Sequence, residues 1–168
     1  MTNPAHSPAS AWPHRIGHGY DIHRLQSGGR LVLGGVAVAE GISAVAHSDG
    51  DVVIHALVDA ILGAMAWGDI GEMFPNDDRR WKGADSRVFL RAVQEKLAAA
   101  GFALVNADVT ILAERPKLKP FKTKMVECLR DILEAPVNVK AGTSEGGDSV
   151  GRGEAVACHA VVLVGARR

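Results

Sequence analysis

One segment near the C-terminus restricts the fold more than any other. Ala155 to Val164, read AVACHAVVLV, is apolar at nearly every position. A strand with one wet face alternates apolar and polar residues, whereas a continuous apolar run needs cover on both faces. The rest of the chain supplies about three helices. Ser48 to Ala66 is an Ala- and Leu-rich run that Gly68 closes, with Ser48 or Asp49 as the expected cap. Ala84 to Ala100 is amphipathic and stopped by Gly101, and Pro120 to Glu134 follows Pro116. The strands are Arg15–His23 running into a turn, Arg30–Val38 with a Gly-Gly kink, Ala103–Ala113, Val137–Ala141 and Ala155–Val164. The expected class is therefore α+β, a mixed sheet with about three helices packed on one face. Three helices cover one face of such a sheet and not two, so the second face is expected to bury against another copy of the chain.

Composition narrows the function. Apolar residues make up 47% of the 168 residues, enough for a core without disulfides, and Cys128 and Cys158 read as reduced thiols. The 19 basic and 19 acidic side chains cancel, which argues against nucleic acid as a partner. No apolar run is long enough for a helix to span a bilayer, so no membrane partner is expected. Residues 1–14 carry Pro4, Pro8 and Pro13 and no basic start, and are expected to be a disordered tail ahead of a single catalytic domain over residues 15–168. The cytoplasm is the default location.

Several segments carry chemistry. Asp21 and His23, two apart in an extended segment, point the same way and could offer an oxygen and a nitrogen to one ion. Asp51, His55 and Asp59 form the polar stripe of an otherwise apolar helix, and such a stripe must be hydrogen-bonded, metal-bound or solvated. Asp21, His23 and His55 together make a ligand set suited to Zn²⁺ with an open fourth position, Asp59 or a backbone carbonyl orienting the His55 ring. Ala46-His47-Ser48-Asp49-Gly50-Asp51 joins an imidazole and a hydroxyl to a helix start, a natural phosphate site. The stretch from Gly68 to Gly83 is a long Gly/Asp/Pro-rich loop, and such loops are often functional. Ala113 to Lys117 turns at a proline, and Gly142 to Glu154 is rich in glycine.

Read in order, these segments resemble the 2-C-methyl-D-erythritol 2,4-cyclodiphosphate synthases of the non-mevalonate isoprenoid pathway. The matching stretches are Ile16 to His23, Ala46 to His55, Gly68-Asp69-Ile70-Gly71, Phe74-Pro75, Lys82 to Arg87, Pro116-Lys117, Asn138 to Ala141 and Glu145. The resemblance implies that Asp21, His23 and His55 hold zinc, and that His47 and Ser48 contact phosphate beside it. It implies that Asp69 and Gly71 hold the erythritol hydroxyls. It further implies that Ala113, Pro116 and Lys117 form a cytidine pocket, Thr143 holds the CDP phosphates, and Glu145 ligates a second ion, Mg²⁺ or Mn²⁺. His47, Thr143 and Glu145 count as catalytic in that pattern, and Arg152 as substrate-binding. The implied assembly is a homotrimer with sites at subunit junctions. Three positions depart from the pattern: Gly142 replaces a threonine, Asn76 an aspartate, and Gly146 to Ser149 a more hydrophobic run.

Overall fold

The computed structural model describes residues 13–167, and the expected tail lies outside them except for Pro13 and His14. His14 already belongs to the first strand, where it pairs with Gly165, so that strand starts one residue before Arg15. That strand, β1, runs His14–Leu33 without the expected break after His23. Its first part pairs antiparallel with β5 (Ala155–Ala166) and its second part with β2 (Val36–Ala44). Gly34 and Gly35, both at positive φ (59° and 74°), make the tight turn between β1 and β2.

Helix α1 (Val52–Met65) follows, then a short helix α2 (Ile70–Met73) and a 3₁₀ turn at Arg79–Trp81, both inside the segment expected to be a long loop. Helix α3 (Arg87–Ala99), strand β3 (Phe102–Leu112), helix α4 (Lys122–Leu133) and strand β4 (Val137–Gly142) complete the order before β5. The five strands lie in the order β2-β1-β5-β3-β4, with β3 and β4 parallel and the rest antiparallel. The fold is thus α+β with a mixed sheet, as the sequence pattern predicts.

One large core fills the space between the sheet and helices α1, α3 and α4. It takes Leu31, Leu33, Val109, Ile111 and Val139 from the sheet and Ile54, Leu57, Ile61, Leu90, Met125 and Leu129 from the helices. Strand β5 gives this core Val156, Cys158, Ala160, Val162 and Val164, all fully buried. Its other face is covered only in part. There Ala157 is buried, His159 is exposed and Val161 is 39% exposed. All three long helices sit on the same side, so within one chain the second face of β5 stays partly open, as the expected count of helices implies. Beside it on β1, Ile16, Tyr20 and Ile22 are 73%, 45% and 41% exposed.

Helix α1 lies directly on β1. A Cβ on Gly17 would fall 1.8 Å from the Ala60 carbonyl oxygen, and one on Gly19 would fall 1.9 Å from that of Ala56. Only glycine admits that approach, and the obstructing atoms are backbone, which cannot swing aside. Gly19→Ala should lower stability by about 3 kcal/mol, the upper end of overpacking effects, read as a shift in urea midpoint at unchanged slope.

Candidate active site

Beyond Gly17 and Gly19, the same face of β1 carries Asp21 and His23, and His55 sits one turn into α1. Asp21 Oδ2 lies 2.9 Å from His55 Nδ1 and 3.2 Å from His23 Nε2, and the two nitrogens are 3.2 Å apart. Ligands about 2.0–2.1 Å from a tetrahedral ion lie about 3.3 Å from one another, so this triangle has the size of one face of such a site. It is the one group of three or more potential ligands that converges in this way among the described residues. The donor set, two imidazoles and a carboxylate with a cleft on the remaining side, fits a small divalent cation.

The electrostatics agree with the geometry. Burial pushes the Asp21 carboxyl up, but the His55 hydrogen bond and the two imidazoles outweigh it, leaving its pKa below the usual 3.8. Burial lowers the pKa of His23 despite Asp21 beside it. For His55 burial acts downward too, yet the Asp21 hydrogen bond prevails and its pKa is raised. An ionised carboxylate is thus maintained between two imidazoles.

The polar stripe of α1 separates into three tasks. Asp51, not Ser48 or Asp49, caps the helix. Fully buried, it accepts N–H bonds from Val53 (3.0 Å), Ile54 (3.2 Å), Gly34 (2.8 Å) and Gly35 (2.6 Å). Burial raises its pKa to about 6 against the pull of these donors. The helix start is therefore no open phosphate cradle, because Asp51 occupies its N–H groups. Asp59 does not orient His55 either. Its Oδ1 accepts from Ile70 N at 2.7 Å and ties α1 to the loop. The partners of His55 Nε2 are the hydroxyls of Ser86 at 3.0 Å and Ser48 at 3.1 Å. Ser86 belongs to a matching segment, but the sequence reading gave it no role.

A cleft of about 360 Å³ opens on the cluster, lined by Asp21, His23, His47, Ser48, His55 and Gly71 among others. Phe74, Trp81 and Phe89 form its aromatic wall, their ring centroids 4.7–5.5 Å apart. The buried His47 Nε2 and Trp81 Nε1 have no partner among the described residues and belong to side chains lining this cleft. Buried polar atoms are rarely left so, and ligand-binding sites are a recognised exception. Asp69 is exposed and caps α2 through Glu72 N at 2.9 Å, while Asn76 lines the cleft.

The remaining predicted residues lie elsewhere in the chain. Ala113, Pro116, Lys117, Gly142 and Thr143 line a second cleft of about 450 Å³, with Lys119 and Lys122 beside them. The Thr143 hydroxyl donates to Glu114 and accepts from Glu145 N at 3.1 Å. Glu145 is exposed at positive φ (50°), and Arg152 pairs with Glu154 at 3.0 Å on the surface. Among the described residues neither stands in either cleft lining.

A family model described as the YgbB family matches residues 14–165. The chain belongs to the YgbB family. A relative from Aliivibrio fischeri, named 2-C-methyl-D-erythritol 2,4-cyclodiphosphate synthase, is 52% identical over 153 residues, covering 89% of this chain and 97% of its own. The relative of that name from Oryza sativa, designated chloroplastic, is 47% identical over 92% of this chain and 71% of its own. Among solved structures, IspF of Plasmodium falciparum in a CDP complex superposes with a TM-score of 0.81 at 30% identity, covering 93% of this chain and 98% of that one. The chain is accordingly an enzyme of this synthase family.

Because His55 offers one of only three converging donors, its loss removes a third of the ligand set. His55→Ala should lower the affinity for a divalent ion at least 100-fold, measured by chelator competition and by bound metal after gel filtration.

Proposed function

We propose that this enzyme converts 4-diphosphocytidyl-2-C-methyl-D-erythritol 2-phosphate to 2-C-methyl-D-erythritol 2,4-cyclodiphosphate and CMP. An oxygen of the 2-phosphate attacks the β-phosphorus, the bond from that phosphorus to the oxygen of CMP breaks, and CMP departs as the cyclic diphosphate closes. The observation that carries the reading is the convergence of Asp21, His23 and His55 at a cleft in which His47 Nε2 has no partner.

The attacking phosphate is already an anion, so the chain needs no strong general base, and catalysis rests on positioning and charge neutralisation. Zinc held by Asp21, His23 and His55, and Mg²⁺ or Mn²⁺ held by Glu145, would supply Lewis acidity to the phosphates. His47 and Ser48 hold phosphate beside the cluster, and Asp69 and Gly71 hold the erythritol hydroxyls. Ala113, Pro116 and Lys117 receive the cytidine, Thr143 the CDP phosphates, and Arg152 takes part in substrate binding. Where family members carry a threonine, Gly142 offers no hydroxyl.

The assembly we propose is a homotrimer. Two observations support it. Ile16, Tyr20, Ile22 and Val161 leave an apolar patch on the sheet face opposite the helices. Gly71, assigned to the erythritol end, and the residues assigned to the cytidine end also line two different clefts of one chain. A cleft completed by a neighbouring copy would unite them. A cytoplasmic location belongs to the same proposal, and no described helix is long and apolar enough to cross a membrane.

Incubation with the cytidyl substrate and Mg²⁺, followed by ³¹P NMR, should give CMP and a cyclic diphosphate, both lost on chelation. A linear phosphate product would mean hydrolysis and overturn the reading. Lys117→Ala should raise KM about tenfold with kcat nearly unchanged, since its contact is made equally in ground and transition states.

A further inference from the structure

Ser86 stands at the N-cap of α3, where a serine hydroxyl ordinarily accepts from an N–H of the first helical turn. Here it caps nothing. Asp85 takes the Arg87 N–H instead, at 2.9 Å. The Ser86 side chain is fully buried and directed into the metal cluster, with Oγ 3.0 Å from His55 Nε2 and its hydroxyl donating to Asp49 Oδ1. A local preference overridden in a buried place is a mark of function.

The proton positions follow from donor and acceptor capacity. Asp49 is surrounded by donors: Ser86 N reaches its Oδ2 at 3.1 Å and Asp51 N its Oδ1 at 3.2 Å. The carboxylate only accepts, so the Ser86 hydroxyl proton points to Asp49 and the Ser86 oxygen presents a lone pair to His55. His55 Nε2 must then carry a ring proton. The Nδ1 contact to Asp21 Oδ2 at 2.9 Å is a hydrogen bond only while Nδ1 is protonated too; a metal ion takes the place of that proton, and the ring, with its one remaining proton on Nε2, offers the Nδ1 lone pair. Nδ1 is the nitrogen that faces Asp21 and His23. Ser48, the other hydroxyl at Nε2, accepts there equally well while also accepting from Gly50 N at 3.3 Å, but no carboxylate fixes its proton.

We propose that Ser86, oriented by Asp49, is a positioning residue that holds His55 in the tautomer whose Nδ1 binds the metal ion. The proposal rests on the reading of Asp21, His23 and His55 as a metal site. Ligating histidines commonly donate their second N–H to a carboxylate, carbonyl or water. A serine placed between the imidazole and the carboxylate does the same work here, transmitting the acceptor strength of Asp49 through one hydroxyl. The backbone strap around it, Gly83 N to His47 O at 2.8 Å and Asp49 N to Ala84 O at 3.0 Å, does not involve the hydroxyl. Removing the hydroxyl therefore leaves the strap intact.

Chelator competition with Zn²⁺ on the full chain should show Ser86→Ala binding 10–100-fold more weakly than the unaltered protein. In the zinc-loaded unaltered protein, ¹H–¹⁵N spectra should show the His55 Nε2 proton as a downfield signal slow to exchange with water. Ser86→Ala should lose that signal and Ser48→Ala should retain it. Zinc affinity of Ser86→Ala within twofold of the unaltered protein, or a signal lost in Ser48→Ala instead, would overturn the proposal. Should Ser86→Ala fail to fold, the signal in the unaltered protein and in Ser48→Ala still decides. Loss of zinc in His55→Ala separates the two readings. If His55→Ala keeps full zinc affinity, the metal site itself is wrong; if it loses zinc while Ser86→Ala does not, only the role of Ser86 falls.

Discussion

Everything at the site depends on how closely α1 lies against β1. Gly17 and Gly19 have no side chains to hold the helix off, and small residues, Ala56, Ala60 and Ala64, meet them from the other side. Helix and sheet layers otherwise stand apart by the thickness of their side chains. With that spacing removed, a histidine at the start of α1 comes within hydrogen-bond distance of side chains on β1. Farther along the strand the glycines give way to Asp21 and His23, and the helix presents His55 at that level. A larger residue at Gly17 or Gly19 would displace two ligands from the third. The metal cluster is a consequence of backbone approach, achieved on regular elements whose positions the core fixes.

A second constraint holds the cleft around the cluster. The segment before α1 and the segment before α3 are laced together by Gly83 N to His47 O, Asp49 N to Ala84 O and Ser86 N to Asp49. Asp59 draws the start of α2 onto α1. Phe74, Trp81 and Phe89 then close one side of the cleft, Phe89 within 6.3 Å of the His55 ring centroid. An aromatic wall beside the ligands excludes water, and charge interactions strengthen where water is excluded. The segment between α1 and α3 is therefore an ordered part of the site, with two short helical turns stabilised by the same aspartates that punctuate its sequence.

Periodicity made much of this legible in advance. Glycine and proline punctuation marked α1, α3, α4 and most strands within a few residues, and the two-residue spacing of Asp21 and His23 correctly placed both on one face. What periodicity could not show was which of several equivalent polar residues takes each task. Ser48 and Asp49 read as the cap, and Asp51 as part of the polar stripe. Asp51 has the role because the Gly34–Gly35 turn, seventeen and sixteen positions away, brings two further N–H groups to its carboxylate. Asp59 lies on the stripe of His55, yet Ile70 captures it. Ser86 resembles an ordinary helix start, and only the packing of α3 against α1 turns its hydroxyl toward His55. The continuity of β1 was missed because the strand was expected to run into a turn after His23, ahead of Gly28 and Gly29. Both do adopt positive φ, but β2 continues the ladder across a register shift between Ser27 and Arg30.

The alternation of β1 sets the site and the outer surface together. Odd positions, Gly17, Gly19, Asp21 and His23, face the helices; even positions, Ile16, His18, Tyr20 and Ile22, face away. Pairing with β5 runs without a bulge from His14 opposite Gly165 to Arg24 opposite Ala155. On β5 the same alternation sends Val156, Cys158 and Ala160 inward and leaves His159 and Val161 outside, where the His159 ring lies tilted against Tyr20 at a centroid distance of 4.6 Å. A one-residue slip would exchange the faces, driving Ile16 and Tyr20 against the helix backbone and carrying both β1 ligands to the surface. The glycines make that slip prohibitive, since no other residue fits beneath Ala56 and Ala60. One steric requirement in a single strand thus determines where the candidate metal ligands converge and which apolar side chains stay exposed on the opposite face.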